Sequence, residues 1–185
     1  MTDPHQLTGY RLRRVRPEDA EAVLDAFGSA PDMGRQGEVT DLPSAERYVA
    51  WLLEEDRLAF AVDRGGRLVG LVGVSVDRPH RIGWVFYWMH AAHRGRGVAG
   101  RAVATVADHL LEDPPAGPGL ERLELGHRVN NPESGGVARA AGFVEEGRER
   151  EKFRIDADRV DVLTYGRLRS DPRPPGERLS LDRPG

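Results

Sequence analysis

The run Arg94-Gly95-Arg96-Gly97-Val98-Ala99-Gly100 places three glycines and two arginines between an apolar stretch that ends at Met89 and a helical period near Val103. Glycine lets a backbone approach an anion closely. The first N–H groups of a helix lack internal partners and point outward along a favourable dipole. Arg94 and Arg96 add charge-assisted hydrogen bonds to phosphate oxygens, so the turn suits a pyrophosphate. The letters from Gly95 to Gly100 also spell the G-x-G-x-x-G pattern of dinucleotide-binding folds, with Glu121 or Glu124 near the spacing of a ribose-binding acid. That reading puts the pattern after four strands instead of in an opening βαβ unit, and leaves the neighbouring hairpins unexplained. A glycine cluster that merely punctuates a turn is the third reading.

A second group lies downstream, with Glu124 and His127 near a strand end and Asn131-Pro132-Glu133-Ser134 at a helix start. Residues of these types can take up a proton or donate a hydrogen bond to a developing negative charge. Ser134 offers a neutral hydroxyl donor; an ordinary first-turn serine is the competing reading. Glu124 and His127 are the candidates for the proton, or a water chain in place of either. Strand alternation sets these two on opposite faces unless a bulge intervenes, so only one meets a given cleft. Surface ion pairing is the plain alternative for both. Upstream, Trp84, Phe86 and Trp88 share a strand face and Tyr87 takes the other. Core packing accounts for most of these rings, while Tyr87 and Trp84 are candidates to line a substrate cleft.

The elements that must hold these groups follow from periodicity. Tyr10 to Val15 reads as a strand, and Pro17 opens a helix whose Ala20, Val23, Leu24 and Phe27 form one face. Gly28 to Pro43 has no period and reads as a loop or broken helix, in which Asp32, Glu38 and Asp41 could attract a cation. Ser44 is placed as the cap of a second helix containing Tyr48, Trp51 and Leu52. Leu58 to Asp63 and Leu68 to Val76 form a hairpin about Arg64-Gly65-Gly66-Arg67, and Ile82 to Met89 is the next strand. Val103, Val106, Ala107, Leu110 and Leu111 make a helix face. Leu120 to Leu125 is a strand, and Glu133 to Ala141 is a short helix capped by Asn130 or Asn131 and stopped at Gly142. Phe143 to Ile155 and Val160 to Leu168 are two strands about Asp156-Ala157-Asp158. The order βααβββαβαββ predicts one α/β domain over residues 10–170. Residues 1–9 form an N-terminal extension and residues 171–185 a Pro/Arg-rich tail, either mobile or packed as extended chain.

Composition sets outer limits. A chain of 185 residues suits one core, and 39% hydrophobic with 31% charged residues fits a globular protein. Arginine carries nearly all the positive charge, but the net charge is -3, so nucleic acid is not an expected partner and any phosphate site must be local. With no cysteine there is no disulfide, thiol nucleophile or cysteine-ligated zinc. Met1 to Gly9 lacks a signal-peptide core and no apolar run nears the roughly 20 residues that span a bilayer, which predicts a cytoplasmic protein without a membrane partner.

Arg94-Gly95-Arg96-Gly97-Val98-Ala99 resembles the coenzyme A signature of the GNAT superfamily: Gln or Arg, two residues, Gly, one residue, then Gly or Ala. Tyr87-Trp88 stands on the preceding strand. Asn131-Pro132-Glu133-Ser134 with Ala141-Gly142-Phe143 is similar to the N-x-x-S and G-F elements of the Rim-type branch that acetylates ribosomal-protein N-termini. The resemblance implies a mixed, mostly antiparallel sheet with helices on both faces, splayed in the middle at the coenzyme site. It implies acetyl-CoA as co-substrate, no metal, and direct attack by a primary amine, from a protein N-terminus or a small molecule. Pantetheine would run along Met89, His90 and Ala91, with backbone N–H groups from Arg94 to Gly100 around the pyrophosphate. Asn131 would hold the pantetheine arm and Ser134 would stand near the sulfur. Two family features are missing: Gly135 to Ala140 carries no tyrosine, and Arg81 to Trp88 no glutamate. An acyl-CoA-binding module without turnover therefore stays open, as does a different donor, either a longer acyl-CoA or an aminoacyl-tRNA. Dimerisation through an apolar edge at Val160 to Leu168 is also left open.

Overall fold

The computed structural model describes residues 8–155 and 158–182, so most of the N-terminal extension and Asp156-Ala157 of the expected turn lie outside the described residues. The elements are β1 (Tyr10–Arg14), α1 (Ala20–Gly28), α2 (Leu42–Leu52), β2 (Arg57–Arg64), β3 (Arg67–Asp77), β4 (Ile82–Met89), α3 (Val98–Leu111), β5 (Arg122–Arg128), α4 (Pro132–Ala140), β6 (Val144–Ile155), β7 (Asp158–Leu168) and β8 (Ser180–Leu181). The expected order holds, with one short strand added from the tail. The loop after α1 contains a 3-10 turn, Pro31–Gln36, and another, Ala91–His93, follows β4.

All strands join one sheet in the order β6-β7-β5-β4-β3-β2-β1-β8, antiparallel except at β4–β5 and β1–β8. Helices cover both faces because strand side chains alternate between two apolar sets. On one face Val72, Val74, Val85 and Met89 pack with Val103, Val106 and Leu110 of α3. On the other, Ala61, Leu71 and Trp88 pack with Val23 and Phe27 of α1 and Val49 and Leu52 of α2. Fully burying one such side chain is worth about 1.5–3 kcal/mol.

The feature that makes a site is a short pairing. Strands β4 and β5 are parallel neighbours only at Ile82–Arg122, Gly83–Leu123 and Trp84–Glu124, and then separate. The N–H of His90 donates to Val69 O in β3, so backbone alternation turns Val85, Tyr87 and Met89 toward the gap.

Three expectations change, and the open alternative for the tail is decided. Asp41, not Ser44, caps α2: its carboxylate accepts from the Ser44 N–H at 2.9 Å while Ser44 Oγ accepts from the Asp41 N–H at 3.0 Å. Pro43 fits the first turn because no donor is needed there, and the start lies three residues earlier. Strand β5 runs on to Arg128. Strand β7 is flanked by β5 and β6, so Val160 to Leu168 is not a free edge, and β6 is the outer strand on that side. The tail packs as extended chain: Leu179 is buried, its N–H donates to Thr105 Oγ1 at 3.0 Å, and Arg178 pairs with Asp108 at 2.7 Å.

Candidate functional site

Two adjoining cavities occupy the opening between β4 and β5. The first, of about 660 Å³, is lined by Met89, Arg94 to Gly100 and Val137. The second, of about 420 Å³, is lined by Trp84, Phe86, Arg128, Phe153 and Arg154. Tyr87, Asn131, Ser134, Arg35 and Gln36 border both.

The first cavity is built for an anion. Gly95 and Gly97 both have φ +72, the left-handed region that L side chains avoid. A Cβ at Gly95 would meet nothing within 4 Å, and one at Gly97 would meet only Arg101 Nη1 at 3.9 Å, so the space above the turn holds no side chain. Gly97 caps α3 without a side chain, leaving the N–H groups of Val98, Ala99 and Gly100 without a side-chain acceptor at the cap. Beside them Arg101 Nη1 is buried with no hydrogen-bond partner. Orphan donors converging on empty space fit a pyrophosphate.

The arginines of the turn line the first cavity and also brace its wall. Arg94 Nε donates to Met89 O at 3.0 Å and its Nη1 grips the Asp32 carboxylate at 3.0 and 2.8 Å, so its guanidinium braces the turn against the loop after α1. Arg96 Nη2 donates to Ala92 O at 3.1 Å. His90 and Ala91 do not line the cavity: His90 Nδ1 accepts from the Ala92 N–H at 3.1 Å and the Ala91 N–H donates to Ser29 Oγ at 3.0 Å. The tight turn after Met89 consumes their polar groups.

At the junction of the cavities, Asn131 caps α4. Its Oδ1 accepts from the Ser134 N–H at 3.3 Å and its Nδ2 donates to Ser134 Oγ at 3.0 Å. The Tyr87 hydroxyl donates to the same Oγ at 2.8 Å. Two donors fill both lone pairs of the serine oxygen, which leaves its own proton for a third group in the cleft. Burial pushes the Tyr87 phenol above its ordinary value, partly opposed by the bond to Ser134, so it stays a donor through neutral pH. This Tyr87–Ser134 link was not legible in the sequence, where the partners are 47 residues apart with no shared motif.

The base candidates fall on opposite faces, as strand alternation requires. Glu124 is not brought to either cavity: it lies at the closed end of the fork, bonded to Arg122 Nε at 2.8 Å. His127 borders the second cavity but is 8% exposed. Its Nδ1 is 2.9 Å from Arg128 O, which can only accept, so Nδ1 carries the proton; Nε2 faces the Tyr165 hydroxyl at 3.2 Å. A Cβ on Gly135 would sit 2.9 Å from Nε2, so the ring also fills the space beneath α4. Of the acidic loop residues only Asp32 borders the first cavity. Asp32 is paired with Arg94, whereas Glu38 and Asp41 line a separate groove beside α2.

A family model described as an acetyltransferase (GNAT) domain matches residues 10–144, from β1 through the glycine turn and α4. The chain belongs to the GNAT acetyltransferase family. This GNAT domain is 26% identical over 110 residues to the ribosomal-protein-serine acetyltransferase of Escherichia coli (strain K12), a match that spans 59% of each chain's length. Among solved structures it resembles Mycobacterium smegmatis RimJ in complex with CoA-disulfide, with 25% identity, a TM-score of 0.70 and coverage of 86% of this chain and 81% of that one. It also resembles the ribosomal-protein-S5-alanine acetyltransferase of Vibrio fischeri, at 21% identity and a TM-score of 0.75 over 88% and 94% of the two chains. Among the described residues no His, Cys, Asp or Glu cluster is arranged to hold a metal ion, and no helix is long and apolar enough to cross a membrane.

Proposed function

We propose that this GNAT acetyltransferase moves an acetyl group from acetyl-CoA to a primary amine by direct attack, with no covalent enzyme intermediate. The observation that carries the reading is the continuity of an anion-binding cavity and a second cavity through Ser134 and Tyr87. Acetyl-CoA supplies the activated thioester. The N–H groups from Val98 to Gly100 and the Arg101 guanidinium hold its pyrophosphate, and Met89 and Asn131 flank its pantetheine arm. Ser134, polarised by Tyr87 and Asn131, donates its proton toward the departing thiolate. Glu124 is set aside as a base by its pairing with Arg122, and His127 by its burial, with Nδ1 bonded to Arg128 O and Nε2 packed against Tyr165 and Gly135. Water in the open second cavity takes the amine proton. The names of the relatives favour a protein N-terminus as acceptor. A cytoplasmic setting belongs to the same reading, and self-association, if present, would use the outer strand β6, where Val144 and Phe153 are exposed.

The test is calorimetry with acetyl-CoA followed by mass spectrometry of a peptide and amine library incubated with enzyme and acetyl-CoA. Binding together with acetylated amine products is the expected result. Binding without acetylation of any amine would leave only the coenzyme-binding module, and absence of binding would sink both.

A further inference from the structure

The second cavity, where the acceptor would lie if the acetyl-transfer reading holds, has a one-sided charge. Arg35, Arg128 and Arg154 line it, and among the described residues no aspartate or glutamate does. They come from three distant places: the 3-10 turn after α1, the end of β5, and the hairpin arm of β6. That arm reaches the cavity through an irregularity in which the register jumps from Glu149↔Val162 to Phe153↔Val160, with Glu151 at φ +52.

Several nearby carboxylates are already engaged. Glu124 and Glu146 pair with Arg122, Asp32 with Arg94, and Asp161 with Arg148, while Glu145 accepts from Tyr165. By contrast, the side chains of Arg35 and Arg128 have no hydrogen bond or ion pair among the described residues. The two also repel: burial and the charge of Arg35 both lower the Arg128 guanidinium from its ordinary value. Two cations without a counter-ion beside one cavity, Arg35 exposed and Arg128 half-buried, give it a positive potential that favours an anionic visitor. Arg128 lies outside the coenzyme cavity, so the pyrophosphate does not neutralise it, whereas Arg35 borders both cavities. Beside them Trp84 and Phe153 are 39% and 48% exposed, giving the same cavity an apolar wall.

We propose that the acceptor is a primary amine that also carries a carboxylate or phosphate, gripped by Arg35 and Arg128 while the amine meets the thioester beside Ser134. The same cations supply a second effect. A guanidinium facing an ammonium disfavours its charged form and so favours the free base needed for attack. That accounts for a site with no carboxylate base in its acceptor cavity. It also sets polycations apart as poor acceptors, since they bring charge of the wrong sign and nothing to offset it.

The experiment compares kcat/KM for matched acceptors with the full-length enzyme. One arm uses peptides of identical N-terminal residue followed by acidic, neutral or basic residues. The other uses amino acids against their uncharged amides, with spermidine as a polycation. The expected result is a preference of at least tenfold for the anionic member of a pair at low salt, shrinking at high salt. A preference confined to peptides assigns the anion to a protein N-terminus, and one confined to amino acids to a small metabolite. Arg128→Gln should cut the ratio at least fivefold, and Arg128→Glu should reverse it; Arg35→Gln repeats the test if the Arg128 variants do not fold. Preference for basic acceptors, or a ratio unmoved by these variants, would overturn the inference while leaving acetyl transfer intact. If no amine releases thiol, acetyl transfer is the reading that fails. Calorimetry with N-acetylated acidic and basic peptides then still decides the charge preference.

Discussion

The Tyr87 hydroxyl donates to Ser134 Oγ at 2.8 Å, joining the strand before the glycine turn to the first turn of α4. With Asn131 Nδ2 on the same oxygen, the serine proton is the one part of the group left for chemistry. In the proposed mechanism the tyrosine absent from α4 is represented near the leaving group by one from β4, acting through the serine and not in its place.

Removing the hydroxyl should cost turnover and not binding. Ser134→Ala is expected to lower kcat about 10- to 100-fold with acetyl-CoA affinity within about threefold, because the donor acts on charge that develops late. Tyr87→Phe should cost less, about three- to tenfold, and add little to Ser134→Ala because the two act as one unit. Steady-state kinetics of the single and double variants checks both.

The glycine turn should show the reverse pattern. Gly97→Ala forces a left-handed conformation that costs about 1–2 kcal/mol, but its methyl would come no closer than 3.9 Å to other protein atoms, so the fold survives. The methyl instead enters the anion cavity. A rise in KM for acetyl-CoA of about tenfold or more, with kcat changed far less, is the predicted kinetic signature.

Glu124→Gln should leave kcat/KM within about twofold, since the carboxylate is held by Arg122 outside both cavities. His127→Gln should appear mainly in stability, losing about 1–3 kcal/mol from the unsatisfied groups around Tyr165 and α4. Urea melts beside saturating-substrate assays separate these outcomes; a large kcat loss for either residue with unchanged melting would return it to the chemistry.

A pH dependence follows from the buried Arg13, 3% exposed, whose guanidinium bridges Asp63 at 2.8 Å and Asp19 at 2.7 Å. Burial alone would raise the Asp63 carboxyl, but hydrogen bonds from Arg13, the Gly66 N–H and Arg11 outweigh it and hold the group below its ordinary range. The unfolded chain therefore takes up the proton first as pH falls. The stabilisation is full above the ordinary carboxylate range and is lost as pH falls through the folded value. Asp63→Asn should destabilise the protein by about 1–3 kcal/mol at neutral pH, because Arg13 keeps Asp19 but loses one of its two carboxylates, and should flatten the acid limb of a stability–pH curve. Denaturant melts between neutral and acid pH measure both effects.

Local features determined what the sequence alone could supply. Hydrophobic periods of two and 3.6 residues placed the strands and helices, and the glycine turn and the Asn131–Ser134 block were legible because their members lie within a few residues of each other. The α2 cap was misplaced because Asp41 and Ser44 both suit a cap, and only the hydrogen bonds of the folded turn distinguish them. Strand parity correctly separated Glu124 from His127, yet it could not say which face opened on a cavity. That depended on β4 and β5 parting after Trp84, a consequence of sheet order and packing instead of any local pattern. The tertiary structure alone brought Tyr87 to Ser134, buried Val160 to Leu168 between two strands, and gathered Arg35, Arg128 and Arg154 around one cavity. Each of these joins residues far apart in the chain, where approach is set by the long-range burial of apolar faces and leaves no trace in spacing.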